Sequence, residues 1–289
     1  MNVLIAGGEG MLGRDVVRAA QRAGHRPIAT GRAQLDVADP SSVARAIAQA
    51  KPDAVINCAA WTDVDGAQSH PQQAAAVNAA GAGNLAQAAA DAAVPLVHVS
   101  TDYVFNGSAP LDAHGRPRPY LESDPTGPLS AYGATKLQGE RLVLAASPRH
   151  LVVRTAWLFG VDGGNFVATM LRLAGERDTV QVVEDQTGCP TWTGHLAPAL
   201  IGLIEREVRG LAHLAGSGEV TWNAFAKEIF RQAERDCDVQ AIGSAQMARP
   251  APRPAWSVLG SERDDLLPLP DWRDGLAGYL AARDGMMRA

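Results

Sequence analysis

Tyr132 and Lys136 stand four residues apart in "SAYGATKLQGE" (130–140), a spacing that puts both on one face of a helix. Together they suit chemistry at a carbonyl. A phenol can give a proton to a developing alkoxide, and an adjacent ammonium favours the phenolate by lowering its pKa. The chain has only three lysines (Lys51, Lys136 and Lys227) and four tyrosines (Tyr103, Tyr120, Tyr132 and Tyr279), so no lysine-rich surface helix explains the pair. An ordinary amphipathic turn could still place two such residues, and their neighbours decide between the readings. Thr101 lies 31 residues before Tyr132, in "HVSTDYVFNG" (98–107), beside Ser100 and Asp102. Its hydroxyl is a candidate partner for a carbonyl oxygen.

These groups need a scaffold that also holds a redox partner. "IAGGEGMLG" (5–13) contains two glycine patterns, Gly7-x-x-Gly10-x-x-Gly13 and Gly8-x-Gly10-x-x-Gly13. With 29 glycines such a triple is common, but its position is informative. It follows the apolar run "NVLIAG" (2–7) and opens "GRDVVRAAQRAG" (13–24), a strand-to-helix junction. There glycines permit a tight turn and close approach of backbone to a pyrophosphate, while the helix start offers unpaired N–H groups. The second strand ends in "IATGRAQ" (28–34), with Thr30, Gly31 and Arg32 but no carboxylate. Arg32 would pair with a 2′-phosphate, which suits NADPH; it also reads as a solvated surface charge, with NADH as the alternative.

Short β-branched runs alternate with helical periodicity, as βαβ units around a parallel sheet require. Strands are expected at 2–7, 26–30, 53–60, 95–100, 151–157 and 179–185, with helices at 13–24, 39–52, 71–93, 129–146 and 164–175. The fold class is α/β: a Rossmann-type, doubly wound parallel sheet, with Thr101 where ligands lie, past a strand's carboxyl end. After residue 186 the texture changes to short elements, a helix capped by Thr221, and a proline-rich tail. Trp256, Leu259, Leu266, Leu267 and Trp272 in that tail imply packing in a smaller α/β lobe.

The net charge of −5 argues against a nucleic-acid partner. Cys58, Cys189 and Cys237 have no metal-ligand spacing and fit a reducing compartment. No apolar run of about 18 residues or signal-peptide core is seen, so no membrane partner and a cytoplasmic location are expected.

The motifs "LDVADP" (35–40), "PDAVINCAAWTDVDGAQ" (52–68), "STDYVFNG" (100–107), "PLSAYGATKLQGE" (128–140), "VRTAWLFG" (153–160), "NFVATMLRLA" (165–174), "DQTGCPT" (185–191) and "RPAWSVL" (253–259) cover nearly the whole chain. With them the chain resembles the extended short-chain dehydrogenase/reductases, and among those the dTDP-4-dehydrorhamnose reductase family. The resemblance implies a Rossmann domain over residues 1–156, continued by about 178–208, and a substrate lobe from 157–177 and about 209–289. It implies hydride transfer from NADPH or NADH to the C4 ketone of a dTDP-4-dehydro-6-deoxy-L-mannose, with Tyr132, Lys136 and Thr101 catalytic. By the same match, Asp102 and Trp157 would contact the sugar. Cofactor contacts would come from Gly10, Met11, Leu12, Asp36, Val37, Ala60, Trp61, Thr62 and Val99, with Tyr132 and Lys136 completing them.

Two features depart from the family pattern. Some relatives dimerise through magnesium held by glutamates, but Asp15 stands at one such position and "TWTGHLAPAL" (191–200) lacks the other. No required metal is therefore expected, and both a monomer and a homodimer fit. Tyr103 follows Asp102 where related dehydratases carry a glutamate base, which disfavours dehydration. The remaining alternatives are another nucleotide-sugar 4-reductase or epimerase, or a non-catalytic subunit like the regulatory one of methionine adenosyltransferase. Arg249, Arg253 and Trp256 are candidates for diphosphate or base contacts.

Overall fold

The computed structural model describes residues 1–288, so Ala289, the expected end of the second lobe, lies outside the described residues. The first half of the chain winds a parallel sheet in alternating strands and helices: β1 (Asn2–Ala6), α1 (Met11–Arg22), β2 (Arg26–Thr30), α2 (Pro40–Ala50) and β3 (Ala54–Asn57). Then come α3 (Val64–Ser69), α4 (Pro71–Ala75), a π-helical turn Ala76–Gly81, α5 (Ala82–Asp91), β4 (Leu96–Thr101), α6 (Ala131–Ala146) and β5 (Leu151–Thr155).

Local chemistry explains the boundaries. The Asp39 side chain caps α2 by accepting from the Ser41 N–H at 2.9 Å, with Pro40 in the first turn, where its missing N–H costs nothing. Ser130 caps α6 through the Gly133 N–H at 3.2 Å, and this fixes where the helix bearing Tyr132 begins. Thr221 caps the helix Trp222–Gln232 by accepting from the Ala224 N–H, as its position in the sequence suggests.

The six-stranded sheet runs in the order Gly210–His213, β5, β4, β3, β1, β2, all parallel. Successive strand residues face opposite layers. Ile5, Ile56 and Val153 pack against α1 and the helix Thr193–Glu205, whereas Leu4, Val55 and Val152 pack against α2, α5 and α6. Strand order reverses between β1 and β3, and the crevice outside such a reversal is where open α/β sheets bind ligands.

Two sequence expectations are corrected here. Thr179–Val183 is a strand but does not join the main sheet; it pairs in parallel with Asp238–Ile242 as a separate two-stranded unit. Its alternating exposure is the pattern of a half-solvated sheet, which a central parallel strand would not show. The sixth strand is instead Gly210–His213, which pairs with β5 and so extends the first domain past the expected limit near 208. Leu267 is also exposed, while Leu259 and Trp272 are buried and Leu266 packs on the core.

A second core gathers Phe159, Val167, Met170, Phe225, Trp272 and Tyr279. Between the two cores, segment 106–128 is tied down by Tyr120, whose N–H donates to Val258 O at 2.8 Å and whose ring stacks on Phe105 at 4.0 Å. Among the described residues no helix is long and apolar enough to cross a membrane.

Candidate active site

The loop from β1 to α1 is shaped for close approach. Gly7 has φ +73°, and a Cβ there would meet the Ala59 backbone at 2.7 Å. A Cβ on Gly13 would strike the Gly7 carbonyl oxygen at 2.1 Å, so the first turn of α1 can nest in the loop only with glycine at that position. Gly10 is the N-cap and offers no side-chain bond, and the first turn carries no acid. Its N–H groups therefore face the crevice with their partial positive charge uncompensated, a cradle that fits the pyrophosphate of a dinucleotide. Leu12 is buried in the core, so only its backbone can serve such a ligand.

Across the crevice, β4 ends at Thr101 beneath the start of α6. The Thr101 hydroxyl donates to Asp102 Oδ1 at 3.0 Å and accepts from the Tyr103 N–H at 3.2 Å. It also lies near the Tyr132 phenol, without bonding geometry, and favours its ionised form. Burial outweighs this pull, and with the Asp102 carboxylate adding to it the phenol is pushed up to about 12. The expected acidification of Tyr132 by Lys136 is therefore corrected. Desolvation and a neighbouring carboxylate dominate the phenol, and the ammonium points elsewhere.

Lys136 Nζ donates to the Val99 carbonyl at 2.7 Å and lies 3.2 Å from His98 Nε2. His98 Nδ1 is held at 3.0 Å by the Asn57 amide, whose oxygen accepts from the Ala59 N–H at 3.0 Å. That fixes the amide with its NH2 toward the ring, so a neutral His98 carries its proton on Nε2, facing the lysine. An ammonium there sets donor against donor, and a neutral amine does not. Burial pushes Lys136 down to about 8, while the Glu140 and Cys58 side chains favour its charge. Burial and the Lys136 charge together hold His98 well below the ordinary imidazole range.

Asp102 is buried beside these groups and is pushed up to about 6 by burial, against the pull of the Ser257 and Thr101 hydroxyls. Its Oδ2 completes no hydrogen bond, the Ser257 hydroxyl lying near without bonding geometry. Trp157 follows β5 with φ +47°, a left-handed conformation uncommon for a bulky residue. Its ring stacks on Trp222 at 3.5 Å and 5°, and lies so close to Gly188 that a Cβ there would meet Cε2 at 2.4 Å. A cleft of about 1030 Å³ opens beyond, lined by Tyr103, Phe166, Arg177, Trp222, Arg249 and Arg253.

The other residues expected from the sequence fall into four groups. Ala60, Trp61 and Thr62 follow β3, and Val99 lies in β4, so the fold brings these to the crevice. Trp61 is anchored by its N–H to Asn78 Oδ1 at 2.8 Å, within the π-helical turn. Val37 is core, and Asp36 spends Oδ1 on the Ala38 N–H at 3.0 Å as a turn residue does. Arg32 is exposed past β2. Arg253 lines the cleft but is paired with Asp65 at 2.6 Å; Trp256 donates instead to Arg118 O at 3.2 Å.

The sequence reading missed His98 and Asn57, brought side by side by the register of β3 with β4. It also missed Glu140, whose carboxylate accepts from Ser100 Oγ at 2.6 Å and is bound by Arg154 at 2.9 and 2.8 Å. Asp15, at the position some relatives use for metal, is occupied by Arg18 at 2.7 Å and the Thr193 hydroxyl at 2.5 Å. Among the described residues no three His, Cys, Asp or Glu side chains gather as a metal site.

Known proteins are similar to this chain over nearly its whole length. A dTDP-4-dehydrorhamnose reductase from Streptomyces griseus is 46% identical, covering 98% of this chain and 94% of its own length. A probable dTDP-4,6-dihydroxy-2-methyloxan-3-one 4-ketoreductase from Streptomyces antibioticus is 44% identical over 96% and 93%. The crystal structure of a dTDP-4-dehydrorhamnose reductase from Bacillus anthracis in complex with NADP superposes with a TM-score of 0.92 at 33% identity, covering 97% of this chain and 99% of that one. Residues 1–284 also match a family model, and the chain belongs to the family described as RmlD substrate binding domain.

Proposed function

We propose that this chain reduces the C4 ketone of dTDP-4-dehydro-6-deoxy-L-mannose to dTDP-L-rhamnose, with NADPH as preferred cofactor and NADH as the alternative. What supports this reading is the placing of Thr101 at the end of β4 and Tyr132 in the first turn of α6, at the carboxyl-end side of a sheet whose β1–α1 loop forms the glycine cradle. The bound dinucleotide supplies the hydride. The unpaired backbone N–H groups of Met11 and Leu12 would hold its pyrophosphate close to Gly10, whose own N–H is spent on Gly7 O at 3.0 Å. Gly7 and Gly13 would leave it room, and Ala60, Trp61, Thr62 and Val99 would line its path toward Lys136. Asp36 and Val37 border the adenine end through their backbone.

Tyr132 is protonated at neutral pH, since its phenol is pushed up to about 12, and reduction consumes that proton at O4. Thr101 has one hydroxyl proton, held by Asp102 Oδ1 at 3.0 Å, and would turn it to the ketone oxygen when substrate binds. The unpartnered Asp102 Oδ2 accepts from a sugar hydroxyl, and the Trp157 ring gives the sugar an apolar face. The nucleotide extends into the lobe formed by 157–177 and much of 209–289, with the strand Gly210–His213 left to the first domain.

A second reading concerns the sugar alone. The 44% identical Streptomyces antibioticus relative carries a different 4-keto sugar in its name, which makes another dTDP-4-keto-6-deoxy sugar the competing substrate. The enzyme works in the cytoplasm as a monomer or homodimer, without nucleic acid or membrane. Mixing it with NADPH and dTDP-4-dehydrorhamnose tests the proposal: cofactor should be oxidised one for one as dTDP-L-rhamnose forms. Turnover of the sugar without net oxidation would sink it, and a higher kcat/KM for another 4-keto sugar would select the second reading.

A further inference from the structure

Glu9, inside the glycine loop, has a position that the sequence does not disclose. Its carboxylate stands against the Cα of Gly31, where a Cβ would meet Oε2 at 2.1 Å, Cδ at 2.4 Å and Oε1 at 2.8 Å. Gly31 is the first residue past β2. Loop and strand end are locked together, because β1 pairs with β2 up to Ala6 and Thr30, and the Gly8 N–H donates to Thr30 O at 3.0 Å. The Gly31 N–H is taken by Gln34 Oε1 at 3.0 Å, which fixes the turn below the carboxylate. Arg14, the nearest basic residue in sequence, spends its Nε on the Glu9 backbone carbonyl at 2.9 Å. Among the described residues the Glu9 carboxylate has no ion-pair partner, and it is exposed to whatever lies above the strand end.

In sheets of this kind the adenosine ribose sits over the end of the second strand, where an acid carried by that strand takes the 2′-hydroxyl. This second strand ends in Thr30, Gly31 and Arg32 and has no acid. We propose that Glu9 fills that role from the loop and is the residue that sets cofactor specificity. Its carboxylate accepts from the ribose hydroxyl of NADH and repels the 2′-phosphate of NADPH. Arg32, exposed on the same rim, does the opposite, so the chain accepts both cofactors and Glu9 restrains its preference for NADPH. Gly31 is required for this because any side chain there would displace the carboxylate. The inference rests on the dinucleotide assignment and concerns the ribose end alone, remote from the reacting carbonyl.

Dissociation constants for NADPH, NADH, 2′,5′-ADP and 5′-ADP, measured by fluorescence and calorimetry, test it without turnover. Glu9→Gln removes the charge while keeping the shape. NADPH and 2′,5′-ADP should bind about fivefold tighter and NADH about as much weaker, a size set by one charge interaction near the surface. Gly31→Ala, which keeps Glu9 but pushes its carboxylate aside, should move the ratio the same way. Arg32→Ala should weaken NADPH and leave NADH unchanged. The effect of Glu9→Gln on NADPH should shrink in molar salt, as screening requires. Equal changes for both cofactors in Glu9→Gln, or none, would overturn the proposal. If the unaltered chain bound neither dinucleotide nor either ADP, the cofactor assignment itself would fall, and this proposal with it.

Discussion

Lys136 Nζ lies 3.2 Å from His98 Nε2, and the far side of that ring is fixed by Asn57. The lysine therefore answers to the floor of the sheet, through His98 and the Val99 carbonyl at 2.7 Å, before it answers to the phenol one turn away. With Lys136 at about 8 and Tyr132 at about 12, the alkaline limb of kcat/KM should report the lysine. The groups facing it are His98 from β4, Cys58 after β3 and Glu140 from its own helix. His98→Gln replaces a ring proton with a side chain that can accept, so the limb should move upward by about one unit. A limb that stays in place would show that burial alone sets it.

The same lysine should cost stability. Its folded pKa of about 8 lies below the ordinary 10.5, so the unfolded chain binds more protons between those values and stability rises with pH across that window. Below pH 8 the full cost of a buried charge is present, on the order of 3 kcal/mol from the shift. Lys136→Met, assayed at pH 7, should raise the melting temperature while abolishing turnover. A lower melting temperature at pH 7, with the variant folded, would show that the bond to Val99 outweighs the desolvation.

Tyr132→Phe removes the proton donor and leaves the glycine loop intact. Turnover should fall by about 10²–10⁴-fold, the usual worth of a positioned general acid, with NADPH affinity within about twofold of the original. Retention of more than a few per cent of activity would transfer the acid's role to another group, with Asp102, whose carboxylate acts on the phenol, as the candidate.

What the sequence made legible was local. The glycine loop, the helix that carries Tyr132 and Lys136 and the apolar run of β1 each depend on residues close in the chain. Neighbours in space escaped it, because strand register decides them. Asn57 faces His98 only because β3 pairs with β4 at that step, and Glu9 meets Gly31 only because β1 and β2 run level. "GLAHLAG" (210–216) reads as a short strand in the sequence, but its place in the main sheet escaped for another reason. Four residues, half of them only partly buried, carry too little periodicity to distinguish a sheet edge from a lobe strand.

Glu140 lies two turns after Tyr132 on the same helix and is only 2% exposed, as its partner Arg154 is only 4% exposed. It ties α6 to β4 through Ser100 and to β5 through Arg154, and so sets the height of the catalytic face above the sheet. Glu140→Gln leaves a guanidinium buried without a counter-charge and should destabilise the fold by about 3–5 kcal/mol, read from the denaturant midpoint. Pairing it with Arg154→Met should recover much of the loss. If the double variant were as unstable as the sum of the single ones, the two residues would not be acting as a pair.

Gly188→Ala probes the sugar face without touching any proton-bearing group. The new methyl would stand 2.4 Å from Trp157 Cε2, so the indole must shift, while its stack on Trp222 at 3.5 Å and its left-handed backbone limit where it can go. A displacement of about 1 Å at a positioning residue costs up to about 10²-fold. The expected result is a fall in kcat/KM of about tenfold to a hundredfold, carried mostly by KM for the sugar nucleotide, with NADPH affinity unchanged and the tryptophan emission shifted. Unaltered KM together with a shifted emission would mean that the ring moves without mattering to the substrate, and Trp157 would then be a packing residue of the seam between the two cores.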